Sequence, residues 1–413
     1  MMKGQRLILI AVVATVLVGA IWVGSAALRP ANAAEAVAPR FEVDPFWPKP
    51  LPDNWRLGSS IGVAVDSDDL VWMIHRGSMT LNRNERALEL DPVEGTCCRA
   101  APPVLAFDQE GNLVHAWGGP GPGYDWPESN HGIHVDDEGF VWIAANGDRD
   151  SHFLKFTKEG EFVAQFGEPM SREPVVRRNG DTSYGDTTYL PNSHDPVNFA
   201  EPAKLWVDAP ANEVYVADGY VNRRVAVVDT ETGEMKRYWG AYGNRPDDDY
   251  QFGPAGRDDQ DPPPQFRGPV HCVTIAHDGR VYVCDREANR VQVFTKQGEF
   301  LQEAFFAPRT LRSGAVWDIA LSRDAEQRYL YIADGVNEKI RVVERETLQE
   351  ITNFGAGGRQ PGQFYGVHNV ASDSNGNLYT TETYEGKRLQ RFLFQGVEPV
   401  EALEQGTPWP RNN

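Results

Sequence analysis

The stretch His271–Arg286, HCVTIAHDGRVYVCDR, gives the clearest indication of the fold of this chain of 413 residues. It consists of two short apolar runs with alternating side chains, joined by the polar turn Asp278-Gly279. An Asp-Gly pair between such runs is a strong signal of a β-hairpin. The same unit of strand, polar turn and aromatic-containing strand recurs along the chain. The other copies are residues 61–76, 131–147, 202–219, 317–335 and 368–383.

The repeat extends beyond the hairpin. Three copies continue through a polar turn into a third strand, at residues 217–228, 284–294 and 333–343. A fourth strand closes on an aromatic residue followed by glycine, as at Trp117-Gly118 and Trp239-Gly240. No long stretch after Leu28 has helical periodicity. Six units of four strands predict an all-β protein with the architecture of a six-bladed β-propeller, which closes into a ring.

The predicted propeller occupies residues 57–400, between a lead-in segment at 34–56 and a C-terminal tail at 401–413. It is longer than six compact blades require. The surplus lies in three insertions, which we interpret as surface loops. They are residues 78–101, 168–201 and 241–268.

Residues 1–33 have the composition of a targeting segment. Lys3 and Arg6 precede an uncharged apolar run over residues 7–28, and Ala31-Asn32-Ala33 has the small-residue pattern of a cleavage site. The apolar run is also long enough to span a bilayer. The segment is therefore either a cleaved signal peptide or an N-terminal membrane anchor. Both interpretations predict export to the periplasm or the extracellular space, with membrane contact only through this anchor.

The chain is acidic and contains four cysteines. Its formal charge of −19 excludes nucleic acid as a partner, because such binding requires a basic surface. An exported protein can hold disulfides. Cys272 and Cys284 flank the hairpin and are predicted to bond across its two strands. Cys97 and Cys98 are adjacent, so both a bridge between neighbours and two free thiols stay open.

One position of the first strand carries histidine in alternate blades. In chain order this position holds Gly62, His131, Ala203, His271, Trp317 and His368. Alternate blades of a six-bladed ring lie roughly 120° apart, so three imidazoles should converge on the axis. Three imidazole ligands with an open fourth position are typical of catalytic zinc. A single such histidine would more often be an ordinary channel-lining residue. Three at one repeat position favour a metal site.

The motifs around these histidines resemble those of a known family. Residues 57–392 are similar to the NHL-repeat propellers, specifically to peptidyl-α-hydroxyglycine α-amidating lyase. The three histidines lie in NHGI, VHCV and VHNV, and the remaining motifs are His75-Arg76-Gly77, Asp218-Gly219-Tyr220 and Asp285-Arg286-Glu287. The resemblance implies that His131, His271 and His368 bind zinc. It also implies that Arg76 and Tyr220 are catalytic and that Arg76 and Arg286 bind the substrate.

This chain departs from the family at a second metal site. The resemblance implies a structural calcium ion, held by the carbonyls of Val63 and Ile133 and by a carboxylate after the third histidine. Here that residue is Asn369. Asparagine provides an oxygen but no charge, so we expect calcium to bind weakly or not at all. The family's disulfides are not reproduced either, since Val221 follows Tyr220 where the family has cysteine.

The resemblance implies an enzyme that cleaves the C–N bond of a peptidyl or acyl α-hydroxyglycine to give an amide and glyoxylate. Its substrate would be a small molecule or peptide whose carboxylate pairs with arginine. Tyr220 would be the general base. Two alternatives stay open. One is a secreted NHL-type binding propeller with a non-catalytic metal site, because fold does not determine function. The other is a metal-dependent hydrolase of a different substrate.

Overall fold

A computed structural model describes residues 36–171, 174–176, 187–253 and 262–410. The chain divides into two compact units, residues 1–37 and 38–413, and the first lies almost wholly outside the described residues. The predicted targeting segment, residues 1–33, also lies outside them. Within the described ranges, no helix has both the length and the apolar character needed to cross a membrane.

The described strands form the six-bladed β-propeller that the repeat predicts, with four antiparallel strands in each blade. The first strands of neighbouring blades contact one another around the ring, and the first strand of blade 6 contacts that of blade 1. Blade 1 contains Ser60–Val65, Val71–His75, Val104–Phe107 and Leu113–Trp117. Blade 2 contains Asn130–Val135, Phe140–Ala145, Phe153–Thr157 and Phe162–Phe166. Blade 3 contains Pro202–Asp208, Glu213–Asp218, Arg224–Asp229 and Met235–Trp239.

The remaining blades follow the same order from the axis outwards. Blade 4 contains Val270–Ile275, Val281–Asp285, Arg290–Phe294 and Phe300–Phe305. Blade 5 contains Asp318–Leu321, Tyr329–Asp334, Lys339–Glu344 and Gln349–Phe354. Blade 6 contains Val367–Ser372, Leu378–Glu382, Arg388–Pro399 and, as its outermost strand, Val37–Asp44.

Short elements lie in the loops between these strands. Trp55–Arg56 pairs with Arg99–Ala100, and Pro174–Val176 pairs with Thr187–Tyr189. The 3₁₀ helices of the described part are Gly77–Thr80, Arg83–Arg86, Ala209–Ala211 and Ala241–Gly243.

Both ends of the described chain secure the ring. Strand Val37–Asp44 completes blade 6, so part of the segment expected as a lead-in belongs to the propeller. The described part of the C-terminal tail lies against blades 5 and 6. The Asn353 N–H donates to the Leu403 carbonyl (2.7 Å), and the Val43 N–H donates to the Pro408 carbonyl (2.8 Å). Closure between distant chain segments protects edges that would otherwise be exposed.

The polar turn of the repeat has a structural explanation. Asp66 accepts hydrogen bonds from two backbone N–H groups of its turn, and its second oxygen accepts one from Trp72 Nε1 at 2.9 Å. The same pairing recurs as Asp136–Trp142 and Asp373–Tyr379. One aspartate thus closes the turn and holds the aromatic ring of the following strand, which is why the repeat contains both residues.

Blades 3 to 6 each pair a buried carboxylate with an arginine where the second strand passes to the third. The pairs are Asp218–Arg224, Asp285–Arg290, Asp334–Arg341 and Glu382–Arg388. Asp218 Oδ2 accepts from Arg224 Nε at 2.8 Å, and Asp218 Oδ1 accepts from the Ala200 N–H at 2.7 Å. Both side chains of this pair are fully buried. The pair therefore joins the turn that carries Tyr220 to the loop that enters blade 3.

His75 shapes the turn that carries Arg76. Its Nδ1 accepts from the N–H groups of Gly58 (3.1 Å) and Gly77 (3.0 Å), and its Nε2 donates to the Pro102 carbonyl at 3.0 Å. Complete burial lowers the pKa of His75 from 6.5 to about 4. The ring is therefore neutral at pH 7, as its two acceptor contacts require.

Both cysteine pairs are bonded. Cys272 and Cys284 face each other across the first two strands of blade 4, with their Cα atoms 4.9 Å apart, which confirms the predicted disulfide. Cys97 and Cys98 are also joined, so the bridge is the alternative that the structure contains. Disulfides are typical of oxidising compartments, in agreement with the predicted export.

We predict that Asp218→Ala destabilises the protein strongly. Arg224 would then be buried without the carboxylate that it pairs with among the described residues. The free energy of unfolding should fall by about 3–5 kcal/mol in urea denaturation. Arg280→Ala is the control, because the Arg280–Glu346 pair is exposed and should contribute under about 1 kcal/mol. Equal losses for the two variants would contradict this interpretation of the buried pair.

A second prediction concerns acid stability. The unfolded chain protonates His75 near pH 6.5, whereas the folded metal-free protein does so only near pH 4. The stability that His75 contributes is therefore complete above pH 6.5 and is lost as the pH falls towards 4. This shift corresponds to about 3 kcal/mol. Urea unfolding across this range should show a shallower decline for His75→Gln than for the wild type. Parallel declines would refute the assignment to His75.

Candidate metal centre

Three histidines meet on the propeller axis. His131, His271 and His368 come from the first strands of blades 2, 4 and 6, as their shared repeat position predicts. Their ring centroids are 4.9 Å apart in all three pairs. One ligand nitrogen from each ring lies within 4.8 Å of the others, and all three side chains are buried. The group can hold a metal ion.

The intervening blades orient these imidazoles. His131 Nδ1 donates to the Ala203 carbonyl of blade 3 at 2.7 Å, and His271 Nδ1 donates to the Trp317 carbonyl of blade 5 at 2.5 Å. His368 Nδ1 contacts Asn369 Oδ1 at 2.5 Å. The His368 ring also forms a hydrogen bond with the backbone of Ile61 in blade 1. A proton held on Nδ1 leaves the Nε2 lone pair available, which is the usual arrangement of a metal-binding histidine.

The three Nε2 atoms that face the axis lack enough hydrogen-bond donors. Burial, reinforced by nearby positive charges, lowers the pKa of His368 to about 3 and those of His131 and His271 well below 6.5. The Tyr220 hydroxyl lies 3.0 Å from His131 Nε2 and 3.1 Å from His271 Nε2, but its single proton serves only one of them. A divalent cation would coordinate all three neutral, buried nitrogens, and zinc favours imidazole ligands of this kind.

Tyr220 and Arg286 adjoin the triad. Arg286 Nη1 donates to the Tyr220 hydroxyl at 3.2 Å, and the guanidinium lies 4.9 Å from the Trp317 ring centroid. Arg286 is only 8% exposed, and its Nε has no hydrogen-bond partner among the described residues. Its Nη2 lies 4.0 Å from the Glu287 carboxylate. A buried guanidinium with a donor to spare is suited to binding an anion.

Arg76 approaches the site from blade 1. Its Nε donates to the Asn130 carbonyl at 3.2 Å, and its Nη2 donates to Asn146 Oδ1 at 2.8 Å. Burial lowers the pKa of Arg76 below its usual value, while the nearby Tyr220 opposes that shift. Arg76 forms no ion pair within the described ranges. The structure therefore brings together the residues that the motifs single out: two arginines, one tyrosine and three histidines.

The residues expected to bind calcium lie beside a buried ion pair. Asn369 Oδ1 contacts His368, and Asn369 Nδ2 donates to Asp318 Oδ2 at 2.9 Å, so both ends of the amide are engaged. Asp318 forms a buried ion pair with Lys204. Val63 and Ile133 line the same cavity as Lys204, which provides a positive charge there. This pair was not predicted from the sequence, although a lysine inside the apolar strand Pro202–Asp208 indicates that a buried partner is needed.

Comparison with known proteins gives one match to a family model and several distant relatives. The model of the NHL repeat matches residues 270–294, which span the first three strands of blade 4. NHL repeat-containing protein 3 of Mus musculus is 26% identical over 308 residues, covering 72% of this chain and 65% of the relative. Peptidyl-glycine alpha-amidating monooxygenase B of Xenopus laevis is 25% identical over 272 residues, covering 63% of this chain and 25% of the relative.

Among solved structures, a streptogramin B lyase aligns with a TM-score of 0.49 and 14% identity, covering 86% of this chain and 98% of that one. This chain spans less than two thirds of either curated relative. It contains an NHL repeat and is distantly similar to NHL repeat-containing protein 3 and to peptidylglycine α-amidating monooxygenases.

Proposed function

We propose that this protein is a zinc-dependent lyase that cleaves the C–N bond of a peptidyl or acyl α-hydroxyglycine and releases an amide and glyoxylate. The observation that carries the proposal is the meeting of Tyr220 and Arg286 with three neutral imidazoles. The lyase-like motifs around these residues support it. The similarity to proteins named for α-amidation agrees with these motifs.

The substrate carries a carboxylate next to the reacting carbon. The Arg286 guanidinium lies 4.0 Å from its ion-pair partner Glu287, and Arg76 forms no ion pair within the described residues, so both can donate to that carboxylate. Guanidinium groups bind carboxylates through paired hydrogen bonds. Binding there places the neighbouring hydroxyl near Tyr220, because Tyr220 is in direct contact with Arg286.

The reaction requires removal of the hydroxyl proton. As the C–N bond breaks, the hydroxyl oxygen becomes the carbonyl oxygen of glyoxylate, and the departing nitrogen takes up a proton to complete the amide. Tyr220 acts as the general base: its oxygen takes the hydroxyl proton, and its own proton passes to the departing nitrogen. The Arg286 guanidinium, 3.2 Å from this oxygen, would stabilise negative charge that develops there. When bound by the three histidines, zinc supplies a Lewis acid that promotes loss of the hydroxyl proton.

A binding propeller with a metal but no turnover is the second candidate. It stays a candidate because NHL repeat-containing protein 3, whose name states a repeat and no activity, matches 72% of the chain, whereas the monooxygenase match covers 63%. An assay for glyoxylate release separates the two candidates, since only the lyase produces it.

We predict that His271→Ala loses both metal and activity, because two imidazoles leave the site incomplete. Tyr220→Phe should retain the metal and lose activity by about 10²–10⁴-fold, as expected for a general base. Metal content is measured by mass spectrometry, and glyoxylate by a colorimetric assay. His277→Ala is the control, because His277 is exposed and outside the triad; it should keep both properties.

The lyase proposal fails if the wild-type protein, fully loaded with zinc, releases no glyoxylate from either peptidyl or acyl α-hydroxyglycines. Full activity of Tyr220→Phe would remove Tyr220 from the mechanism but leave the overall reaction in place.

A further inference from the structure

A cavity of about 220 Å³ adjoins Arg76. It lies between the insertion of blade 1 and the loop that leads from blade 1 to blade 2. Its walls are mainly apolar and include Met79, Ala101, Pro120, Trp126 and Pro127. Pockets for drug-sized ligands measure roughly 300–1,000 Å³, so this cavity suits one side chain or a short acyl group.

The cavity shares its polar residues with the metal centre. Arg76 lines it, and so does Asn130, which immediately precedes the triad residue His131. Asn130 is 5% exposed; its Nδ2 donates to the His75 carbonyl at 3.0 Å, but its Oδ1 has no partner among the described residues. A buried acceptor without a donor is rare and costly.

The Trp126 wall is held in place. The Trp126 ring packs against Tyr124 and Phe156, with centroid separations of 6.4 and 6.0 Å. A Cβ on Gly118, whose φ is +110°, would lie 2.8 Å from the Trp126 ring, so glycine permits this close approach. The Trp126 side of the cavity is therefore preformed. This favours binding, because the protein loses less conformational entropy when a ligand enters.

The charge at the rim does not indicate a cationic ligand. Glu128 lines the cavity, but so does Arg76, and its positive charge opposes the binding of a cation. Met79 projects from the blade 1 insertion and is 60% exposed. An apolar group bound here would cover this methionine and the free face of Trp126, which removes apolar surface from water.

We propose that this cavity, the acyl pocket, binds the group attached to the substrate nitrogen, and that the substrate class is α-hydroxyglycines with an apolar acyl group or side chain. The proposal rests on the proposed function, because Arg76, which lines the cavity, is also a residue proposed to hold the substrate carboxylate.

The test compares two substrates, N-phenylacetyl-α-hydroxyglycine and N-acetyl-α-hydroxyglycine. Wild-type kcat/KM should be roughly 10–100-fold higher for the phenylacetyl compound. Met79→Asp places a carboxylate on the apolar wall and should lower this preference at least about 10-fold, mainly through KM for the phenylacetyl substrate. Met170→Asp is the matched control, because Met170 is also exposed (52%) but lies outside the pocket, and it should leave the preference unchanged.

Trp126→Ala provides a second test and should lower the same preference through KM. Equal kcat/KM for the two substrates, or equal effects of Met79→Asp and Met170→Asp, would overturn the acyl pocket while the lyase activity stands. Release of glyoxylate from neither substrate would overturn the proposed function and the acyl pocket together.

Discussion

The metal centre depends on hydrogen bonds between neighbouring blades. His131 and His271 each donate their Nδ1 proton to a carbonyl of the next blade, so their Nε2 lone pairs remain available at the axis. This arrangement requires correct register around the whole ring, including the closure of blade 6 by the N-terminal strand. The blades therefore alternate in role. Blades 2 and 4 each supply a histidine, and blades 3 and 5 each supply the carbonyl that accepts its Nδ1 proton.

The residues of the candidate site come from two different positions in the blades. First strands carry the histidines, whereas Arg76, Tyr220 and Arg286 follow the ends of second strands. These positions are held by buried polar contacts, including the His75 ring behind Arg76 and the Asp218–Arg224 pair beside Tyr220. The insertion of blade 1 adds one wall of the acyl pocket. The proposed metal binding, proton transfer and substrate selection therefore depend on different residues.

The blades and the histidine triad could be predicted from the sequence because both follow the repeat period. Residues one repeat apart occupy equivalent places, so the convergence of His131, His271 and His368 required no knowledge of side-chain contacts. Strand Val37–Asp44 could not be found in this way, since its pairing partner lies at the other end of the chain and no turn joins them. The Lys204–Asp318 pair and the unpartnered Asn130 Oδ1 depend on contacts between blades, which no local pattern specifies.

We expect one metal ion on the propeller axis, held by the Nε2 atoms of His131, His271 and His368. An anomalous difference map from crystals of the protein, recorded on both sides of the zinc absorption edge, tests this expectation. The map should contain a single strong peak, about 2.0–2.1 Å from each of the three nitrogens, that disappears below the edge. A map without a peak at the triad in zinc-loaded crystals, or with a peak bound by other residues, would contradict it.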